Sequence, residues 1–218
     1  MIRLKTEPST IATPGNQIGT YYLSDNANMY EIQRRNNFEF VVPFALPLKR
    51  AGLLDTDTDA DDYFGAEEAQ HVIKIACSSV DIPTYSQGII TVRRGNTAIK
   101  YAGVPEFGAG SITLNDYIGP DVVGIMTAWQ NRSYNIGTEK VGLVKDYKMD
   151  CKLLQYSPDY QLVRTWVLQG CWISQLSFGA MNSEQGNDRT QITAQIQYDR
   201  YKIEYVSNVE TTPTNRTR

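Results

Sequence analysis

Apolar positions change their spacing along residues 111–172, and the elements follow from those changes. Ser111-Ile112-Thr113-Leu114-Asn115 alternates polar and apolar, which predicts a short β-strand. Val122, Ile125, Met126 and Trp129 then fall at i, i+3, i+4 and i+7, one apolar stripe of a helix over about 119–135. Gly119-Pro120-Asp121 opens that helix: proline fits the first turn, and Asp121 faces the positive end of the helix dipole. Thr127, Gln130 and Arg132 make its solvated face, and Asn135-Ile136-Gly137 supplies a left-handed stop. Two β runs follow at 146–156 and 161–176, joined by a turn at Ser157-Pro158-Asp159. The second carries Leu162, Trp166, Leu168 and Trp172 on one face and Val163, Val167 and Cys171 on the other, so it is a strand covered on both sides.

Strand patterns dominate the rest of the chain. Phe38–Val42 is a β run cut by Pro43, as expected of an edge strand or a bulge. Residues 72–82 set Val72, Lys74 and Ala76 against Ile73, Ile75 and Cys77, which reads as a half-buried strand. Runs at 88–94 and 97–103 flank Gly95-Asn96, a pair suited to a tight hairpin, and 103–110 reads as a loop. From Thr190, Ile192, Ala194, Ile196 and Tyr198 alternate with polar residues. After Asp199 the parity flips to Tyr201, Ile203 and Tyr205, which predicts a bend there. Eight to ten strands and one flanking helix imply a mainly β fold, an antiparallel β-sandwich or barrel spanning residues 21–205 as a single domain. Residues 1–20 read as an extended N-terminal arm, and 206–218 as a flexible polar tail.

The chain is 218 residues long, enough for one sizeable core, and its net charge of −3 argues against a surface that grips nucleic acid. Cys77, Cys151 and Cys171 have no metal-ligand spacing, and residues 1–20 do not resemble a signal peptide, so they read as buried free thiols in a reducing compartment. No run reaches the roughly 18 apolar residues of a membrane span. Candidate chemistry is sparse. His71 is the only histidine, so a nucleophilic triad has little to be built from, and no cofactor motif occurs. Residues 50–70 form a long acidic loop holding Asp55, Asp57, Asp59, Asp61, Asp62, Glu67 and Glu68. Asp57, Asp59, Asp61 and Glu68 match positions one, three, five and twelve of a calcium loop, but Asp62 stands where that loop needs glycine. A solvated acidic loop is the competing reading.

The order of several motifs resembles the tail tube proteins of contractile-tailed bacteriophages. They are Gly88-Ile89-Ile90-Thr91-Val92-Arg93-Arg94-Gly95-Asn96, then Ser111-Ile112-Thr113-Leu114-Asn115-Asp116-Tyr117, then the helix ending in Trp129 and Tyr134-Asn135. Asp146-Tyr147-Lys148-Met149-Asp150, the 156–176 segment with Trp166 and Gly170-Cys171-Trp172, and Tyr198-Asp199-Arg200-Tyr201 complete the set, over about 88–204. The resemblance extends to the tube proteins of type VI secretion and pyocin-like particles. It implies a structural, non-enzymatic virion protein, assembled in the host cytoplasm into stacked hexameric rings inside a contractile sheath. The implied partners are further copies of the chain, the sheath protein, the tape-measure protein, a baseplate or tube initiator, and genomic DNA passing through the lumen. Within that reading, the nearly uncharged Gln191, Thr193, Gln195 and Gln197 are lumen candidates, since phosphate affinity comes mostly from Lys and Arg. Asp55, Asp57, Asp59, Asp61 and Asp62 are ring-stacking candidates. The alternatives are a tube-initiator or baseplate-hub protein of the same fold and, from another class, a soluble carbohydrate- or calcium-binding β-sandwich.

Overall fold

The computed structural model describes residues 33–45, 47–49, 63–181, 186 and 188–205. The arm at 1–20, the tail at 206–218 and Asp55, Asp57, Asp59, Asp61 and Asp62 lie outside the described residues. All elements below belong to the unit Asn37–Val206. In chain order they are β1 (Phe38–Val41), β2 (Leu48–Lys49), β3 (Tyr63–Phe64), α1 (Ala66–Ala76), β4 (Cys77–Val80), β5 (Tyr85–Arg94), β6 (Thr97–Phe107), β7 (Gly110–Asn115), α2 (Val122–Asn131), α3 (Val144–Tyr147), β8 (Met149–Tyr156), β9 (Leu162–Ser177), β10 (Gln191–Gln197) and β11 (Arg200–Tyr205). The protein is mainly β, with antiparallel sheets that do not close into a barrel.

The main sheet has the order β1-β8-β9-β10-β7-β4, with β11 also on β9. β9 is the shared member. Its first half pairs with β8 and β11, and its second half pairs with β10. β10 and β11 lie end to end along it and break at Tyr198-Asp199, where the parity of the sequence flips. Its covering on both faces also holds: Leu168, Cys171 and Ile173 are buried in the core, and Thr165 and Val167 are buried as well. The change of parity between Leu168 and Cys171 takes place at Gly170, whose φ is +70°. The Gly170 N–H donates to Asp150 Oδ1 at 3.0 Å, and Asp199 N donates to Gln169 O at 2.9 Å. Lys148 Nζ donates to both Asp199 carboxylate oxygens, at 2.7 and 2.8 Å. The bulge in β9, the start of β8 and the bend between β10 and β11 are therefore tied at one point.

α2 is the predicted helix, shorter than expected. Its stripe Val122, Ile125, Met126 and Trp129 is buried, and Trp129 meets Phe44 edge-on at 5.7 Å. Asp121 is the N-cap, its Oδ1 accepting from Gly124 N at 2.7 Å, so Pro120 precedes the cap instead of entering the first turn. The predicted solvated face is only partly so, as Thr127, Gln130 and Arg132 are half-buried. Trp129 Nε1 is buried without an acceptor.

One expectation fails. Residues 66–76 are a helix, α1, and only Cys77–Val80 is a strand, so the single flanking helix becomes three helices among the described residues. The physical reason is visible once Ala69 is included: Ala69, Val72, Ile73 and Ala76 are buried at helical spacing, whereas Ile75, an apolar residue in the strand reading, is 57% exposed. Glu67 and Glu68 stand in the first turn and Lys74 in the last, both favourable to the helix dipole. Lys74 also forms an ion pair with Glu39 of β1. The 146–156 run likewise starts later, because α3 occupies Val144–Tyr147. The hairpin strands run longer than expected and absorb most of the predicted loop at 103–110.

Candidate functional site

The part of the molecule with the least explanation inside its own chain is the β5–β6 hairpin. It turns at Gly95-Asn96, with Gly95 at φ +62° as a tight turn requires. β5 has ten residues, about 30 Å at ~3.3 Å per residue. Every residue of β5 is exposed and nearly every residue of β6 is exposed. The register separates its two faces. Ile90 opposite Tyr101 and Val92 opposite Ile99 form an apolar face. Thr91 opposite Lys100 and Arg93 opposite Ala98 form a polar, basic one; Arg94, opposite Thr97 at the tip, falls on the apolar side. Ile89 and Val104 stand 67% and 78% exposed. A two-stranded hairpin is at best marginal in water on its own, and this one presents a row of branched and aromatic side chains to solvent.

Its base, by contrast, is fixed. Tyr198, at the bend between β10 and β11, accepts from Thr84 N at 3.0 Å and donates to Thr84 O at 3.0 Å. Gly108 N donates to the same Thr84 carbonyl at 3.2 Å, closing the neck. Tyr85 and Phe107, the first and last residues of the hairpin, join Tyr198, Tyr201 and Trp166 in an aromatic cluster with ring centres 5.9–6.4 Å apart. Burial raises the Tyr198 phenol above its ordinary value, so it stays a neutral hydrogen-bonding group. The hairpin is thus an arm on a rigid socket.

The second candidate surface lies on β10. Ile192, Ala194 and Ile196 are buried, which turns Gln191, Thr193 and Gln195 to the opposite face. Their cross-strand neighbours on β7 are Asn115, Thr113 and Ser111, and on β9 Ser177 and Gln175. Gln191 Nε2 donates to Asn115 Oδ1, Gln197 Nε2 donates to Ser174 Oγ, and Ser174 Oγ donates to Gln195 O. The four predicted residues therefore belong to a sheet face spanning three strands that is polar and carries no charged side chain at these positions. The sequence showed the β10 part of it; the β7 and β9 parts needed the register.

Among the described residues, no group of three or more His, Cys, Asp and Glu is arranged to hold a metal ion. Of the calcium-loop residues, Glu68 is exposed on the first turn of α1, and Asp57, Asp59 and Asp61 lie outside the described residues. His71 is exposed on α1, within the helix and not at the mouth of a strand. Cys151 and Cys171 are fully buried, and burial pushes the Cys151 thiol well above its ordinary range. Burial pushes the Cys77 thiol up to about 12, partly offset by its hydrogen bond to the Ser79 carbonyl. Protonated, buried thiols are inert. No described helix is long and apolar enough to cross a membrane.

No protein-family model matches the sequence, and no curated protein matches it. Solved structures do. The sheath–tube complex of the PVC extracellular contractile injection system, in its extended state, contains a chain with a TM-score of 0.55 and 14% identity, over 84% of this chain and 99% of that one. The tube-terminating cap of the anti-feeding prophage matches with a TM-score of 0.54 and 12% identity, over 81% of this chain and 93% of that one. A chain of the six-fold symmetrised anti-feeding prophage baseplate matches with a TM-score of 0.54 and 11% identity, over 83% and 100%. This chain therefore shares its fold with chains of these three contractile injection assemblies.

Proposed function

We propose that this chain is a structural subunit of a contractile injection apparatus, a tube protein whose copies associate head to tail into rings that stack as a hollow conduit inside a sheath. The observation that carries the reading is the hairpin: a long, apolar-faced arm held at its base by Tyr198 and given no packing partner among the described residues. Such an arm gains its stability by docking on another copy. A contact between different patches of identical subunits closes into rings or continues as a tube. The main sheet also leaves β1 and β4 as edge strands available for pairing. In this reading the Gln191, Thr193, Gln195 and Gln197 face lines the channel, where the absence of cations lets a phosphate-bearing cargo slide without being held. The phage form of the assembly has hexameric rings, a sheath, a tape-measure protein and a baseplate initiator as partners, with genomic DNA as the cargo and the virion tail as the location. The acidic residues Asp55, Asp57, Asp59, Asp61 and Asp62 serve ring stacking.

A second reading has a specific support: the tube-terminating cap and the baseplate chain match as closely as the sheath–tube complex does. A cap or an initiator is present once per particle end, and copy number in the intact particle separates it from a repeating subunit. Sedimentation of the purified protein tests the main reading. Wild type should form large species, and Ile90→Asp with Tyr101→Asp should remain small while melting within about a degree of wild type, since both positions are exposed. Identical sedimentation of the two would remove the hairpin from the interface. A reconstruction with the glutamine face turned away from the channel would remove the lumen assignment.

A further inference from the structure

The hairpin and the loop that follows β7 leave that strand at opposite ends. The hairpin neck, Phe107-Gly108, leads into Gly110 at the start of β7; Asn115 at its end leads into Asp116-Tyr117-Ile118-Gly119-Pro120-Asp121. About 20 Å of strand separates them, at ~3.3 Å per residue. This second end is apolar at its tip and has no packing partner there among the described residues: Tyr117 is 42% exposed and Ile118 is fully exposed. It is acidic where the hairpin is basic. Asp116 and Asp121 flank the tip. Exposed Glu67 and Glu68 lie on the first turn of α1, which follows directly on β3. Phe64 of β3 sits against Gly124 in the first turn of α2, so close that a Cβ there would lie 2.8 Å from its Cζ. That contact sets β3, which leads directly into the Glu67-Glu68 turn, against the first turn of α2, where Asp121 is the cap.

We propose that the 116–121 loop, together with the Glu67-Glu68 turn, is the surface on a second copy that receives the hairpin. Ile118 and Tyr117 meet the Ile90, Val92, Ile99 and Tyr101 face, and Asp116, Glu67 and Glu68 meet Arg94, which the register sets on that same face beside Val92. Two independent features support a second copy as the occupant. The charges are complementary, and the hairpin and its receiver lie at opposite ends of one strand, as a head-to-tail contact needs. The inference rests on the tube-subunit reading and names the partner surface for its arm.

The test uses full-length variants Val92→Cys and Ile118→Cys and a short thiol crosslinker at neutral pH. The native thiols are quiet there: Cys151 and Cys171 are fully buried, and Cys77 is protonated. The two single variants mixed should give a crosslinked dimer on a denaturing gel, each alone should give none, and the double variant should give a ladder. Arg94→Glu in the Val92→Cys chain should lower the dimer yield by roughly tenfold. Adding Glu67→Lys with Glu68→Lys to the Ile118→Cys chain should restore it. Particles visible by electron microscopy without any 92–118 product would overturn this receiving surface and leave the tube reading standing. Val92→Cys crosslinking to itself would replace it with the isologous arrangement. Absence of any assembly would overturn both.

Discussion

At Gly170 the backbone has φ +70°, and a Cβ built there would lie 2.4 Å from Asp199 Oδ2. A side chain at that position therefore meets two penalties, a left-handed conformation and a clash with the carboxylate that holds Lys148. We expect Gly170→Ala to lower unfolding stability by about 2 kcal/mol or more in urea denaturation. A change within error would show that Asp199 can swing away freely. The cysteines give a second expectation. The Cys77 thiol ionises near 9.0 when unfolded and only at about 12 in the fold, so the folded chain holds the proton more tightly. That contribution to stability is fully present below pH 9 and is lost as pH rises towards 12. Cys151 shifts in the same direction for the same reason, burial. Thermal melts should fall from pH 9 upward, and Cys77→Ala should flatten that decline; a profile unchanged by the substitution would show that Cys77 is not its source.

Among the elements, the hairpin and its socket behave differently. The arm is solvated, while the socket rests on the two hydrogen bonds of the Tyr198 hydroxyl to Thr84. Tyr198→Phe should cost about 1 kcal/mol and should open the neck at 83–85 and 107–109 to limited proteolysis. Unchanged protease resistance would place the socket's strength in the aromatic cluster alone. The hairpin turn, the edge strand before Pro43, the capped helix at Asp121 and the bend at Asp199 were all legible from local chemistry. Each depends on a residue with a fixed backbone or hydrogen-bonding demand. α1 was not, because Val72-Ile73-Lys74-Ile75-Ala76-Cys77 satisfies a two-residue period nearly as well as a helical one. The deciding residue, Ala69, is small and sat inside a stretch dominated by acids. The length of the hairpin was hidden for another reason: its outer residues are exposed, so the core leaves no signature on them.

The main sheet is held by one strand, β9, serving two sets of partners, with the core on one side; on the other side the β10 half is polar and uncharged, while the β8 and β11 half carries Lys152, Lys202 and Glu204. The face on β10 was visible as a run of Gln and Thr. Its extension over Ser111, Thr113, Asn115, Gln175 and Ser177 was not, because those residues are far apart in sequence and meet only through register. In the proposed contact the hairpin and the 116–121 loop leave β7 at its two ends, so the polarity of stacking would be built into a single element. The central claim is that this polarity generates a hollow polymer. Electron microscopy of the purified full-length protein, with light scattering on the same sample, tests it most directly. Rings or hollow tubes are the predicted result, with their loss in the Ile90→Asp, Tyr101→Asp variant. A single monomeric species at every concentration, identical in the wild type and the variant, would contradict it.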